Sequence, residues 1–105
     1  MGSNSLSYIS LAYRAGRALA GTAACEKGIK QGKVKLLFMQ RGLSEGTVEH
    51  FSQLCSRYGV QTRMMDSVGC AIGRMEIMLV GVTDQGLADA AMDIIDGVKG
   101  SGLNE

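Results

Sequence analysis

Three lysines, Lys27, Lys30 and Lys33, punctuate the stretch GTAACEKGIKQGK at residues 21–33. A basic strip of this kind suits phosphate groups, which strengthen and position binding without carrying sequence information. Gly21 and Thr22 open the segment, and the two residues that follow are Ala23 and Ala24, where a binding site would want polar groups. The segment therefore poses a choice. Either it grips a polyanion, or it is a site that has lost its reading residues.

Other chemistry is thin. GIKQGKV at 28–34 approaches a phosphate-binding loop, but its glycine spacing is one short, Val34 stands where a hydroxyl is required, and it precedes a strand rather than following one. No GxGxxG follows a strand. His50 falls at the solvent boundary of a helix with no nucleophile nearby in sequence, which makes it a surface histidine rather than a general base. Cys25, Cys55 and Cys70 form no CxxC pair. With a single histidine they suit neither a zinc site nor a disulfide framework. They read as buried, reduced thiols of a cytoplasmic protein. Of the two helical thiols, Cys55 is expected to be the buried one and Cys25 the more accessible. No catalytic residue, metal site or cofactor is expected, and the chain does not read as an enzyme.

At 105 residues, 46% of them apolar and 20% charged, the composition is that of one globular domain spanning 1–105, with 1–5 and 98–105 frayed. No secretory leader and no membrane-length apolar run are read from it. The formal net charge of +1 conceals an asymmetry. Residues 1–41 carry seven basic side chains against Glu26, or +6, while residues 42–105 carry four against nine acids, or −5. Such halves fold into opposite faces, one of which meets a polyanion, or they simply solvate two surfaces.

Helices and strands must position these groups. Leu6, Ile9, Tyr13, Gly16 and Ala20 recur at helical spacing, so the reading is a helix over 4–20. Thr22 caps a second helix to about 31, which Gly32 ends. Residues 35–39, KLLFM, form a buried strand. Ser44 caps a third helix with Val48, Phe51, Leu54, Cys55 and Tyr58 inward and Gly59 closing it. Residues 60–65 form a strand near the sheet edge, and 67–72 a short helical turn. Residues 76–82 form the strongest strand. Thr83 or Asp84 caps the last helix, whose inner stripe is Leu87, Ala91, Ile94, Ile95 and Val98. This alternation implies an α/β/α sandwich around a small sheet.

Three stretches, GTAACEKGIKQGKVKLLFM from Gly21, VGCAIGR at 68–74 and VGVTDQGLADA at 80–90, occur in an order that resembles the superfamily of ribosomal proteins L-seven-Ae and L-thirty-e, in particular its small bacterial YlxQ-like branch. The resemblance runs from about Leu11 to Met92. It implies a three-layer α/β/α sandwich with a mixed four-stranded sheet, and recognition of kink-turn RNA, a sharply bent duplex with sheared G·A pairs.

It also implies roles. Gly21 would let the backbone approach RNA closely, Thr22 would cap the helix, and Lys27 would meet phosphate, with Lys30 and Lys33 extending the strip. Val68, Gly69, Ile72, Gly73 and Arg74 lie in the loop and short helix that press on flipped-out nucleotides. In the RNA-binding members the motif runs glycine, threonine, asparagine, glutamate, two variable residues and lysine. Here Ala23 and Ala24 replace the asparagine and glutamate, and alanine cannot hydrogen-bond a base edge. The connection before Val68 is also shorter than the family's, and Val68 replaces a leucine. The resemblance thus implies a structured RNA, ribosomal RNA included, as partner, bound with weakened or altered kink-turn specificity. The alternative is a protein-interaction module that has lost RNA recognition and binds a protein partner or forms a homodimer, as the Gadd-type branch implies.

Overall fold

In the second strand the side chains alternate between two cores, and that alternation generates the layers. Leu36 and Phe38 of β2 (Leu36–Gln40) enter one core, while Leu37 and Met39 enter the other. In β4 (Leu79–Val82), Val80 and Val82 join the first core and Leu79 the second. Both strands are buried along their apolar lengths, so a layer of helices must cover each face. The computed structural model describes residues 2–96 and shows this arrangement.

The sheet has the order β1-β4-β2-β3, with β1 at Ala18–Ala20 and β3 at Gln61–Met65. β2 and β3 are parallel, and the other pairs are antiparallel. Helices α1 (Gly2–Arg14), α4 (Gly69–Ile72) and α5 (Gln85–Asp96) pack on one face, and α2 (Thr22–Lys30) and α3 (Glu45–Tyr58) on the other. The mixed four-stranded α/β/α sandwich expected from the sequence is the architecture found, and β3 is an edge strand.

The first helix is shorter than its periodicity implies. It stops at Arg14, because Gly16 takes a left-handed φ of 72° and the Arg17 N–H turns back to the Ala12 carbonyl at 2.7 Å. Residues 18–20 then pair with Val80–Val82, so Leu19 and Ala20 belong to a strand and not to the helical stripe they seemed to continue. The last strand begins at Leu79, not 76, because the Ile77 N–H closes a turn on the Arg74 carbonyl at 3.0 Å.

Ser44 caps α3 through its hydroxyl, which accepts from the Thr47 N–H at 3.2 Å, and Gly59 ends it at φ 71°. Phe51, Leu54 and Cys55 are buried as expected, but Val48, in the first turns of the helix, is half-buried, and Tyr58, its last residue, is exposed. Asp84, and not Thr83, caps α5, accepting from the Leu87 N–H at 2.9 Å. Among its described side chains, Ala88 and Ala91 are buried, and Leu87 and Ile94 of the expected stripe are half-buried. The side chain of Ile95, together with Val98 and the tail expected to fray, lies outside the described residues.

Candidate nucleic-acid interface

The surface of interest begins where β1 hands over to α2. Gly21 has φ 96° and ψ 162°, a conformation L side chains rarely adopt. It is fixed there by its N–H, which donates to the Leu79 carbonyl at 2.9 Å. Gly21, and not Thr22, is the N-cap residue, and no side chain caps the helix. Cys25 closes the first turn by donating to the Gly21 carbonyl at 3.0 Å. Among the described residues, the amides of Thr22, Ala23 and Ala24 donate to nothing within the protein. Three free N–H groups at the positive end of a helix dipole favour an anion. Thr22, Ala23 and Lys27 are exposed, and Ala24 is half-buried.

The second segment lies against the first. A side chain added at Gly21 would sit 3.7 Å from the Ile77 methyl. Ile77 in turn bonds to Arg74, and a Cβ on Gly69 would collide with the Arg74 carbonyl oxygen and approach that of Ile77 to 2.9 Å. Gly69 is therefore a packing glycine beneath the surface. Val68 is fully buried, with its N–H donating to the Gln40 side-chain oxygen at 3.1 Å. Ile72 is half-buried against the core. Gly73, which ends α4 at φ 71°, and Arg74 are the exposed members of the expected set in this segment. Cys70, Glu76 and Met75, the last 68% exposed, share this surface. Arg74 donates to Glu76 at 3.1 Å and bonds to the Tyr13 hydroxyl, and these partners raise its pKa.

The basic strip is less uniform than its sequence. Lys27 and Lys33 form no ion pair with a described residue. Lys30 is bound to Glu26 at 3.0 Å, and His50 Nε2 on α3 reaches the same carboxylate at 3.3 Å. Lys33 lies past the C-terminal end of α2, so the strip runs away from the free amides. Two cations of the first half are also answered by acids of the second: Arg17 by Asp84 at 3.3 Å and Arg41 by Asp66 at 2.5 Å. The charge asymmetry along the chain is thus partly cancelled in the fold.

Two expectations about thiols are corrected. Cys25 is fully buried, because it points inward between Leu19 and Gly81 of the sheet. Burial pushes its pKa up to about 12, which removes it as a nucleophile. Cys70 is exposed, because α4 is a single turn at the surface. No group of three or more metal-ligating side chains occurs among the described residues, and no described helix is long and apolar enough to cross a membrane. Sequence reasoning missed Gln40, Ile77 and the Glu26–His50 pair. Each acts through contacts between distant elements, and no local pattern marks them.

Comparison with known proteins bears on this surface. No protein-family model matches the chain. The chain is 29% identical over 91 residues to the RNA-binding protein YlxQ of Bacillus subtilis, covering 84% of this chain and 91% of that one. A solved structure of a protein of unknown function from Bacillus halodurans superposes with a TM-score of 0.83 at 27% identity, covering 88% of this chain and 96% of the other. The 15.5 kD RNA binding protein of Giardia lamblia shares the fold, with a TM-score of 0.73 at 17% identity over 90% of this chain and 84% of the other. These relatives are described as RNA-binding proteins or without a function, not as enzymes. With the motifs at 21–39, 68–74 and 80–90, they agree with the resemblance to the superfamily of ribosomal proteins L-seven-Ae and L-thirty-e, and the chain is similar to YlxQ along most of its length.

Proposed function

We propose that this chain binds structured RNA, of ribosomal type and in the cytoplasm, through the N-terminal end of α2 and the adjoining surface at Gly73 and Arg74. The observation that carries this reading is the row of three unpartnered amides above Lys27, opened by a glycine whose conformation is locked to the sheet. RNA phosphates satisfy those donors and the Lys27 ammonium together. The RNA-binding description of YlxQ supports the same reading. Ala23 and Ala24 offer no side-chain donor or acceptor to base edges, so affinity comes from the backbone and discrimination of a kink-turn is weak.

The test is a titration of the purified protein against a kink-turn RNA and a straight duplex over a range of salt. Binding weakens steeply with salt, and Lys27→Ala reduces the salt slope by about 1. Binding that ignores salt, or that survives Lys27→Ala unchanged, overturns the reading. One observation favours the alternative: Ala23 and the exposed Met75 present apolar atoms on this same surface. If neither RNA binds at low salt, the protein-interaction module is the better reading.

A further inference from the structure

Glu26 is the single acid among residues 1–41, and it lies on α2 beside Lys27 and one turn before Lys30. Its two oxygens are both occupied: one by Lys30 Nζ at 3.0 Å, one turn along α2, and one by His50 Nε2 at 3.3 Å, across on α3. All three side chains are between a third and just over half exposed. Together with Ala23, Lys27 and Gln31, Glu26 and Lys30 line a shallow depression of about 440 Å³ that runs down from the free end of α2. The carboxylate is held ionised here, its pKa lowered first by the Lys30 hydrogen bond and then by that of His50.

A carboxylate accepting two hydrogen bonds from an ammonium and an imidazole presents the same acceptor geometry as two oxygens of a phosphate. We propose that Glu26 is an internal competitor for RNA phosphate: it holds Lys30 and His50 until a phosphate displaces it, so the phosphate-binding face extends across α2 to His50. This rests on the RNA-binding reading above. It changes what the strip does. Lys27 is available at all times, whereas Lys30 and His50 engage only a ligand that outcompetes their own carboxylate. Weakly held single phosphates are screened out, and a backbone that already contacts the α2 end and Lys27 supplies the next phosphate at high local concentration.

The prediction is a gain of binding. Glu26→Gln raises affinity for structured RNA about two- to fivefold, the scale of one exposed ion pair. It also steepens the salt slope by about one phosphate contact. The gain disappears in a background carrying both Lys30→Ala and His50→Ala, because Glu26 acts through those two side chains. Asp89→Asn on α5, on the opposite face of the sheet, removes the same charge and is the control for net charge alone. Filter binding of the four variants with a kink-turn RNA at several salt concentrations reads all of this. An unchanged affinity for Glu26→Gln, with the original protein binding RNA, overturns the inference and leaves the RNA reading standing. An equal gain from Asp89→Asn, or a gain that persists with both Lys30→Ala and His50→Ala, overturns it as well. No RNA binding by either the original protein or Glu26→Gln removes both.

Discussion

The side-chain oxygen of Gln40 accepts the backbone N–H of Val68 at 3.1 Å, while the Gln40 main-chain N–H donates to the Met78 carbonyl at 2.9 Å. One residue at the end of β2 thereby holds both ends of the segment that carries α4, Gly73 and Arg74. Gln40→Ala leaves the Val68 N–H without its acceptor in a buried place, at a cost of about 1–3 kcal/mol. Amide hydrogen exchange over 68–78 should accelerate while α3 keeps its protection. Unchanged protection in that segment would show that the turn at Arg74–Ile77 holds it unaided.

Gly69 and Gly46 separate two kinds of glycine. A methyl on Gly69 has only backbone to displace, the carbonyls of Arg74 and Ile77. Overpacking of this kind costs about 1–3 kcal/mol. The helix-propensity gain of at most about 1 kcal/mol is not fully realised in a four-residue helix. Gly69→Ala should therefore lower the urea midpoint. Gly46 lies in the first turn of α3 with nothing within 4 Å of the added methyl, so Gly46→Ala should add about 0.5–1 kcal/mol of stability and raise the midpoint. The opposite ordering would refute the close packing at Gly69.

The thiols predict both a labelling order and an alkaline effect. Cys70 should alkylate rapidly in the native protein, whereas Cys25 and Cys55 should wait for unfolding. Burial raises Cys25 from 9.0 to about 12 and Cys55 from 9.0 to about 11. A pKa raised in the folded state means stability that is whole below about pH 9, where the unfolded thiols titrate, and is lost progressively up to about pH 12. Replacing both by alanine leaves cavities and lowers stability at neutral pH, yet should flatten its decline across that alkaline window. Urea denaturation from pH 8 upward measures the difference.

Introducing the asparagine and glutamate of the resembling superfamily's motif tests the base-reading part of the proposed site. Ala23→Asn with Ala24→Glu should raise affinity for a kink-turn more than for a straight duplex, since good bidentate contacts to base edges discriminate by about 1–3 kcal/mol. The fold should accept both, because polar and acidic residues suit the first turn of a helix. A variant that folds without gaining for the bent RNA would put the deficit in the short connection before Val68.

The layers were legible because β2 and β4 are apolar throughout and the helices around them carry clear stripes and caps, Ser44 and Gly59 among them. β1 was not. Leu19 and Ala20 fit a helical stripe as well as they fit a strand, and their pairing with Gly81 and Val80, far along the chain, decides the matter. The candidate surface divides in the same way. Gly21, Thr22 and Lys27 lie on one continuous segment, and their exposure follows from a single helix. Val68 and Gly69 read as contact residues until the fold buries them under Ile77 and Arg74. The pairing of Glu26 with His50 joins two helices that no local pattern relates.

At the start of α2 the donors are main-chain amides, and this sets how the protein can change. Every amino acid except proline carries the same N–H, so positions 22–24 can exchange side chains without erasing the anion-attracting end of the helix. Specificity written in side chains is open to drift there, while attraction written in the backbone is shielded from it. On the RNA-binding reading, two codons are then enough to shed or regain a preference for one nucleic-acid shape. Losing the attraction for anions would require a proline in that turn, or a side chain at Gly21 that breaks its hold on Leu79.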